Sequence, residues 1–290
     1  RLAQSAGARS LFFTWQNLYR RYLPPFSWIE RGCFAMADRA IAGNAEAVDV
    51  LRRKGYRKPV EVIPQFGVDP EIFRRVGEWE SGRAGEWESG RVGEEFNSSP
   101  TLPLSHSPTP TFRIGFVGRL VEQKGLMDLV EAAAALGDGY TLTLVGAGPL
   151  SAGLEARAAA LGIADRLEIR GSIPSAEMPG VYNGMDVLVL PSRTRPNWKE
   201  QFGRALVEAM ACEVPVIGSD SGEIPNVIGD AGLSFPEGDV DALAQQLALL
   251  RDSLDLRRAL GSRARARVLE RFTQSSIAEQ TCRAYEKMLC

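Results

Sequence analysis

Residues 113–150 read RIGFVGRLVEQKGLMDLVEAAAALGDGYTLTLVGAGPL. Two apolar runs, at 113–117 and 141–145, enclose a segment at 125–136 whose apolar residues recur at helical spacing. Apolar strands that are joined by helices are typical of a parallel sheet with helices on both faces. The stretch therefore predicts an α/β fold.

The same alternation continues toward the C-terminus. Further strands are predicted at residues 167–170, 187–190, 214–217 and 232–234. Further helices are predicted at residues 151–161, 178–183, 204–212, 239–250 and 274–289. The pattern predicts a doubly wound parallel sheet, in which ligands bind beyond the carboxyl ends of the strands.

A low-complexity segment interrupts the chain. The string GEWESGR occurs twice with a period of eight residues, and such repeats bury too little apolar surface to offset their chain entropy. We predict a flexible linker at residues 76–111; the alternative is a recognition segment that uses Trp79 and Trp87. The predicted divisions of the chain are residues 1–75, 76–111, 112–272 and 273–290.

The part before the linker holds one clear helix and one short strand. Residues 43–56 read GNAEAVDVLRRKGY, an amphipathic helix with Asn44 as its N-cap and Gly55 at its end. The string VEVIPQFGVD, at 60–69, predicts a strand that runs into a turn. Residues 19–32 are aromatic and basic, but two prolines interrupt any amphipathic helix there. We predict a loop packed between domains, and the alternative is a segment that lies on a membrane surface.

Composition and charge exclude several classes of protein. Lysine plus arginine is 34 and aspartate plus glutamate is 36, a net charge of −2, which argues against a nucleic-acid partner. No apolar run approaches the roughly 18 residues of a membrane span. The single histidine, His106, lies in a Ser/Pro-rich stretch, which excludes a Ser-His-Asp triad and a histidine-ligated zinc site. Four cysteines without C-x-x-C spacing favour a reducing, cytoplasmic compartment.

Two glycine-containing loops follow the first two strands of the sheet. The first reads GRLVEQKG, where Gly118 ends the strand and Arg119 and Lys124 stand at the start of the next helix. Two cations beside a helix N-terminus suit a diphosphate; the alternative is a pair of solvated loop cations. The second reads VGAGPL, and Ser151 occupies the place of the third glycine of a dinucleotide fingerprint. We interpret Gly146 as part of a loop lining a nucleotide cleft rather than an NAD site.

The segment from 191 to 225 carries two spaced carboxylates. Glu208 lies inside the apolar run ALVEAMA, and a carboxylate on a buried helix needs a partner. One candidate partner is Arg204, four residues earlier; the other is a pair of ligand hydroxyl groups. Glu200 precedes Glu208 by eight residues, which completes the motif E-x7-E.

The ordered set of motifs resembles a known family. GR-x4-KG, VGAGP, E-x7-E, VPVI and SGEIP, in this order over residues 113–290, resemble the family-4 (group 1) glycosyltransferases of the GT-B fold. The earlier AGNAEAVDVLRRKGY and VIPQFGVD resemble the last part of that family's N-terminal domain. The resemblance implies a doubly wound C-terminal domain and an incomplete Rossmann-like N-terminal domain, without that domain's first part, its acceptor site and its typical histidine. It also implies that the last helix crosses back toward the N-terminal part.

The resemblance further implies an activity. A sugar would pass, with retention of configuration and without a bound metal or other cofactor, from a nucleotide-diphosphate sugar to a glycan or glycolipid acceptor. Arg119 and Lys124 would clamp the diphosphate, Glu200 would contact the donor sugar, and Glu208 would hold the ribose. Arg119, Lys124 and Glu200 form the implied catalytic set. The implied donor-binding set is Gly118, Arg119, Lys124, Gly146, Ile173 (facing the base), Glu200, Phe202 and Gly203 (backbone amides on the phosphates), and Glu208.

Other interpretations stay open at this point. A truncated, non-catalytic nucleotide-binding module would share the donor site, and a GT-B sugar-nucleotide epimerase would share the fold.

Glu213 stands where the family usually has glycine, so a tight turn there would strain the backbone. Asn226 stands where the family usually has glutamate. The string DVD at 239–241 is predicted to start a helix, with Asp239 as N-cap, rather than to bind a metal. At most a peripheral contact with the inner membrane face is expected.

Overall fold

The chain folds around two parallel sheets. The computed structural model describes residues 7–76 and 111–289, so the predicted linker, with Trp79 and Trp87, lies almost wholly outside the described residues, as does His106. The larger sheet follows the linker in sequence and the smaller one precedes it. The predicted α/β class with parallel sheets is confirmed.

The larger sheet consists of β4 (Phe112–Val117), β5 (Tyr140–Val145), β6 (Leu167–Arg170), β7 (Val187–Leu190), β8 (Val216–Ser219) and β9 (Leu233–Phe235). These strands have the order β6-β5-β4-β7-β8-β9, and every neighbouring pair is parallel. The order reverses direction at β4, because the chain leaves β4 toward β5 on one side and later returns to β7 on the other. In such sheets the crevice at the reversal is the usual ligand site.

Helices follow these strands along the chain, and most begin where the sequence predicts. They are α3 (Leu126–Ala134), α4 (Ser151–Ala160), α5 (Met178–Asn183), α6 (Arg204–Ala211), α7 (Ile224–Ile228), α8 (Val240–Asp252), α9 (Leu254–Arg271) and α10 (Gln274–Leu289). The side chains of Phe116, Leu142, Val187 and Val216 are completely buried, as expected of strands covered on both faces. Asp239 accepts a hydrogen bond from the amide of Ala242 at 2.9 Å, which confirms its predicted role as a helix N-cap.

The smaller sheet has the order β1-β2-β3 and is also parallel. Its elements are β1 (Leu11–Thr14), α1 (Phe26–Met36), β2 (Arg39–Ala42), α2 (Ala45–Arg53) and β3 (Val60–Val62). The Asn44 side chain accepts a hydrogen bond from the amide of Ala47 at 2.8 Å, so the predicted N-cap of α2 is confirmed. The side chains of Ile41, Ile63 and Ala284 pack in one cluster, which brings α10 against this sheet.

Three predictions of secondary structure are wrong or incomplete. Residues 19–32 are not all loop, because α1 begins at Phe26, directly after the two prolines. Proline is well tolerated at a helix start, where its missing N–H has no intrahelical acceptor to lose. The strand predicted at 214–217 lies two residues later, and β1, β2, α7 and α9 were not predicted.

The turn between α6 and β8 is strained where the family resemblance suggested. Glu213 has φ +58°, a left-handed conformation that costs a non-glycine residue roughly 1–2 kcal/mol. Its carbonyl oxygen also lies against α9, because a Cβ added at Gly261 would stand 2.2 Å from that oxygen. Glycine at 261 therefore permits the close approach of α9 to the turn.

Candidate functional site

Loops at the carboxyl ends of β4 and β5 pack directly on each other. The amide of Gly118 donates to the carbonyl of Val145 and the amide of Leu120 donates to the carbonyl of Ala147, at 2.9 and 3.0 Å. A Cβ added at Gly146 (φ +142°) would stand 1.9 Å from the carbonyl oxygen of Gly118. The two predicted donor-site glycines are therefore in mutual contact, and Gly146 has a structural reason to lack a side chain.

The loop after β4 presents the two predicted cations. A short 3-10 turn, Glu122–Lys124, ends at Gly125 (φ +65°). A Cβ at Gly125 would stand 1.9 Å from the carbonyl oxygen of Pro191, so this loop abuts the start of the loop after β7. Arg119 is exposed, and within residues 7–76 and 111–289 it has no ion-pair partner. Its guanidinium is therefore available to an anion.

Lys124 and Glu200 form an ion pair between the loop after β4 and the loop after β7. The Lys124 Nζ donates to Glu200 Oε2 at 2.5 Å, and the Ser192 hydroxyl donates to the same oxygen at 2.9 Å. Glu200 is only 8% exposed. The Lys124 Nζ also lies 5.2 Å from the centroid of the Trp198 ring, within the range of a cation–π contact. The structure thus joins two of the three predicted catalytic residues.

The backbone of Glu200 is held from both halves of the chain. Its carbonyl oxygen accepts from the Asn17 side-chain amide at 3.3 Å and from the Glu223 amide at 3.1 Å. A Cβ added at Gly222 would stand 2.1 Å from the same oxygen. Asn17 is buried and follows β1, so a residue of the smaller-sheet part fixes the predicted catalytic loop. Sequence reasoning missed Asn17.

The second glutamate of the motif has different partners. Glu208 is 6% exposed; its Oε1 accepts from Arg204 Nε and its Oε2 from the Tyr182 hydroxyl, both at 2.6 Å. The Arg204 pair is the helix interaction that the spacing allowed. Burial, and then the charge and hydrogen bond of Glu208, raise the pKa of Tyr182 well above its usual value, so Tyr182 stays protonated and donates. Tyr182 was not predicted, although an aromatic hydroxyl that is buried on α5 must find a partner.

Further contacts tie the loop after β7 to its neighbours. Arg193 donates two hydrogen bonds to the carboxylate of Asp128 on α3, at 2.6 and 2.5 Å, and its amide donates to the carbonyl of Gln123 at 2.8 Å. The Ser219 hydroxyl at the end of β8 donates to the carbonyl of Ser192 at 2.5 Å. These contacts hold the start of the loop, at Ser192 and Arg193, against its neighbours.

The remaining predicted residues surround this crevice in different ways. Gly203 (φ +81°) is the N-cap of α6, and no side chain caps that helix start, so its first amides are open to an anion. The Phe202 side chain is buried between the rings of Phe66 and Phe272, which leaves only its backbone to serve a ligand. Ile173 is half-buried in the irregular segment after β6.

Two observations bear on charge at the site. Burial raises the pKa of Glu223, whereas a hydrogen bond from the Asn226 side chain opposes that rise. Within the described parts of the chain, no group of three or more His, Cys, Asp or Glu side chains is arranged to hold a metal ion. Arg119 and Lys124 place two positive charges on the loop after β4.

Comparison with known proteins gives the family. The family described as "Glycosyl transferases group 1" matches residues 105–267, which is more than half of the chain. This chain belongs to the group 1 glycosyl transferases. Among curated relatives, the 2-deoxystreptamine glucosyltransferase of Streptomyces kanamyceticus is 35% identical over 144 residues, covering 48% of this chain and 36% of the relative. The alpha-maltose-1-phosphate synthase of Mycolicibacterium smegmatis is 30% identical over 280 residues, covering 90% and 66%.

Solved structures support the same assignment and give the fold. Sucrose-phosphate synthase from Thermosynechococcus elongatus superposes with a TM-score of 0.72 at 25% identity, covering 96% of this group 1 chain and 67% of that protein. HepE of Anabaena, solved with UDP and glucose, superposes with a TM-score of 0.74 at 18% identity, covering 98% and 73%. The predicted GT-B fold is confirmed. The match spans 36% of the length of the first curated relative and 32% of the length of the second. This chain therefore spans about a third of the length of each.

Proposed function

We propose that this group 1 glycosyl transferase chain binds a nucleotide-diphosphate sugar and transfers its hexose, with retention, to a glycan or glycolipid acceptor. The observation that carries the proposal is the buried Lys124–Glu200 pair, which stands at the reversal point of the larger sheet. Relatives that are named as glycosyltransferases of capsular polysaccharide and colanic acid biosynthesis support a polymer acceptor. HepE, solved with UDP-glucose, supports a sugar nucleotide as the donor.

The chemistry follows from where the charges lie. In the transfer, the bond between the anomeric carbon and the diphosphate oxygen breaks, and its electron pair stays on the diphosphate. The acceptor hydroxyl forms the new bond to the same carbon on the face that the diphosphate leaves, and its proton passes to an oxygen of the departing diphosphate. Lys124, Arg119 and the open N-terminus of α6 would stabilise the charge that develops on the leaving group. Fixed cations supply this stabilisation directly, so we propose that the transfer needs no divalent metal.

The two glutamates would bind hydroxyl groups. Glu200 has one carboxylate oxygen engaged by Lys124 and Ser192, and its other oxygen would accept from the donor sugar. Glu208 would accept from the ribose, with Tyr182 and Arg204 fixing its orientation. Because both glutamates belong to one loop–helix unit, they would lie on the donor side rather than flank the reacting bond as in a hydrolase.

Calorimetric titration with UDP, GDP and ADP tests the donor site. We expect one of the three to bind with a dissociation constant of micromolar to low-millimolar order. The variant Glu208→Ala should weaken that binding roughly tenfold to a hundredfold, because a hydrogen bond to a charged group contributes about 1.5–3 kcal/mol. Glu286→Ala, which removes an exposed carboxylate from α10, is the control.

The outcomes separate the two leading interpretations. Equal binding by wild type and Glu208→Ala would contradict the ribose role, and binding by none of the three nucleotides would contradict the donor site. Nucleotide binding without turnover of the matching sugar nucleotide, even with acceptor extracts, would favour the non-catalytic binding module.

We also propose that the first helix gives the enzyme a peripheral membrane contact. Within the described residues no helix is long and apolar enough to cross a membrane. No residue of α1 is buried, and Phe26, Trp28 and Ile29 are exposed by 66%, 63% and 60%. Arginines at 20 and 21 precede these side chains in the sequence and one at 31 follows them, and all three are exposed. Apolar anchors among arginines suit an anionic lipid surface, where each basic residue contributes about 1 kcal/mol.

Vesicle flotation tests this contact. We expect the chain to float with vesicles that contain phosphatidylserine at low salt, and to float less at high salt because the arginine attraction is screened. The double variant Phe26→Ser and Trp28→Ser should remain at the bottom of the gradient. Tyr285→Ser, a similar change of an exposed aromatic residue on α10, should float like wild type. Flotation that neither the double variant nor salt reduces would rule out α1 as the anchor.

A further inference from the structure

The N-terminus of α2 lies against the loop that carries Glu200. The Asn44 Nδ2 donates to the carbonyl oxygen of Gln201 at 3.1 Å. In the first turn of α2, the Glu46 carboxylate accepts from the Lys199 Nζ at 2.6 Å. Lys199 and Gln201 are the two sequence neighbours of Glu200. The smaller-sheet part therefore anchors the loop after β7 on both sides of the predicted catalytic carboxylate.

Asn44 uses both ends of its side-chain amide. Its Oδ1 accepts from the backbone amide of Ala47 at 2.8 Å, which caps α2, while its Nδ2 donates to Gln201. A carboxamide carries one acceptor oxygen and one donor nitrogen, so both contacts are made in only one orientation of the group. Asn44 is 1% exposed, which leaves water little access to either end. The helix cap needs only an oxygen, which aspartate or serine would supply as well, so the cap alone does not explain the nitrogen.

Gln201 is a point at which the loop depends on such a contact. It is exposed, and it lies in a bend between Glu200 and the start of α6, so burial contributes little to its position. The Glu200 carbonyl is already held by Asn17 and by the Glu223 amide. The hydrogen bond from Asn44 fixes the next carbonyl along the chain. With two successive carbonyl groups held, the backbone from which the Glu200 side chain leaves has a fixed orientation.

We propose that Asn44 is a positioning residue for sugar transfer: its side-chain nitrogen holds the carbonyl of Gln201 and thereby keeps the Glu200 carboxylate in place. The inference rests on the proposed function, in which Glu200 contacts the donor sugar. A reacting group that is misplaced by about 1 Å costs about 100-fold in rate. Because Asn44 acts through the loop, its loss should slow turnover and leave the binding of the nucleotide unchanged.

The variant Asn44→Asp separates the two roles of the amide. Aspartate caps a helix about as well as asparagine does, so α2 should keep its N-cap. The second carboxylate oxygen, however, faces the Gln201 carbonyl with no hydrogen to donate. We expect kcat for sugar transfer to fall about tenfold to a hundredfold, with KM for the sugar nucleotide within about twofold of wild type. Asp239→Asn, the opposite exchange at the exposed N-cap of α8, is the control and should keep the wild-type rate.

A second variant removes the donor without adding a charge. Asn44→Ser also caps α2, but its shorter side chain does not reach Gln201, so kcat should fall as it does in Asn44→Asp. Thermal unfolding and nucleotide affinity are measured on the same samples, and the affinity should stay within about twofold of wild type in both variants. Wild-type kcat in both folded variants overturns the positioning role and leaves the donor site intact. A loss of nucleotide affinity equal to the loss of kcat also overturns it, because the defect is then a general one.

A readout besides activity keeps this inference separate from the proposed function. In the 15N-labelled chain, the amide resonances of residues 200–203 should shift in both variants and stay in place in Asp239→Asn. Should the wild type turn over no sugar nucleotide, the proposed function has failed on its own. The resonances then decide the role of Asn44: unshifted signals in both variants show that its side chain does not hold the loop, and shifted signals show that it does.

Discussion

Replacing Lys124 with methionine is expected to lower the rate of sugar transfer about 100- to 1000-fold, the usual cost of removing one group that stabilises charge in a transition state. The ammonium of Lys124 is fixed by Glu200 at 2.5 Å and by the face of Trp198. Such a group needs no rearrangement when the diphosphate leaves. Methionine keeps the length and the apolar stem of lysine, so the change isolates the charge. The measurement is release of nucleoside diphosphate from the sugar nucleotide that matches the calorimetric result.

The same change also affects stability, and a double variant separates the two effects. Without Lys124, the Ser192 hydroxyl is the one side-chain donor left to the buried Glu200 carboxylate within residues 7–76 and 111–289, which costs about 1–3 kcal/mol. Adding Glu200→Gln to Lys124→Met removes the uncompensated negative charge of the Glu200 carboxylate. The double variant should recover thermal stability but not transfer. Lys287→Met, at an exposed lysine on α10, should behave like wild type, and a fully active Lys124→Met would refute the electrostatic role.

The parts of the fold that could be predicted are those whose signal is local. β7 was predicted to the residue because VLVL is apolar throughout and all four residues are buried. α9 was missed because its arginines break up the apolar face. In the structure those arginines bond to distant carbonyls: Arg267 donates to Val227, and Arg265 to Phe73. Such pairings, 40 and 192 residues apart, leave no periodic pattern in the sequence.

The same distinction between local and long-range signals applies to the candidate site. Glu200 and Lys124 were singled out because each stands in a short motif with fixed spacing. Asn17 and Tyr182 hold the two glutamates from positions 183 and 26 residues away, and neither stands in a motif. Residues that position a catalytic group through the fold can therefore be recognised only once the two sheets are in place.

The last prediction concerns the glycines that shape the crevice. Gly146→Ala is expected to lower the free energy of unfolding by about 4 kcal/mol. The backbone has φ +142° at this position, which costs a residue with a Cβ about 1–3 kcal/mol. The added methyl group would also stand 1.9 Å from the carbonyl oxygen of Gly118, and relieving such an overlap costs about 1–3 kcal/mol more.

Thermal unfolding followed by circular dichroism measures this effect. At roughly 2–4 °C per kcal/mol for a domain of this size, the midpoint should fall by about 8–16 °C. Gly162→Ala is the matched control, because Gly162 also has a positive φ, +72°, but a Cβ there meets nothing within 4 Å. That variant should lose only the backbone cost, about 1–2 kcal/mol. Equal midpoints for the two alanine variants would mean that the contact between Gly146 and Gly118 does not constrain the crevice, because the two backbone costs overlap and the added 1.9 Å contact is expected at Gly146 alone.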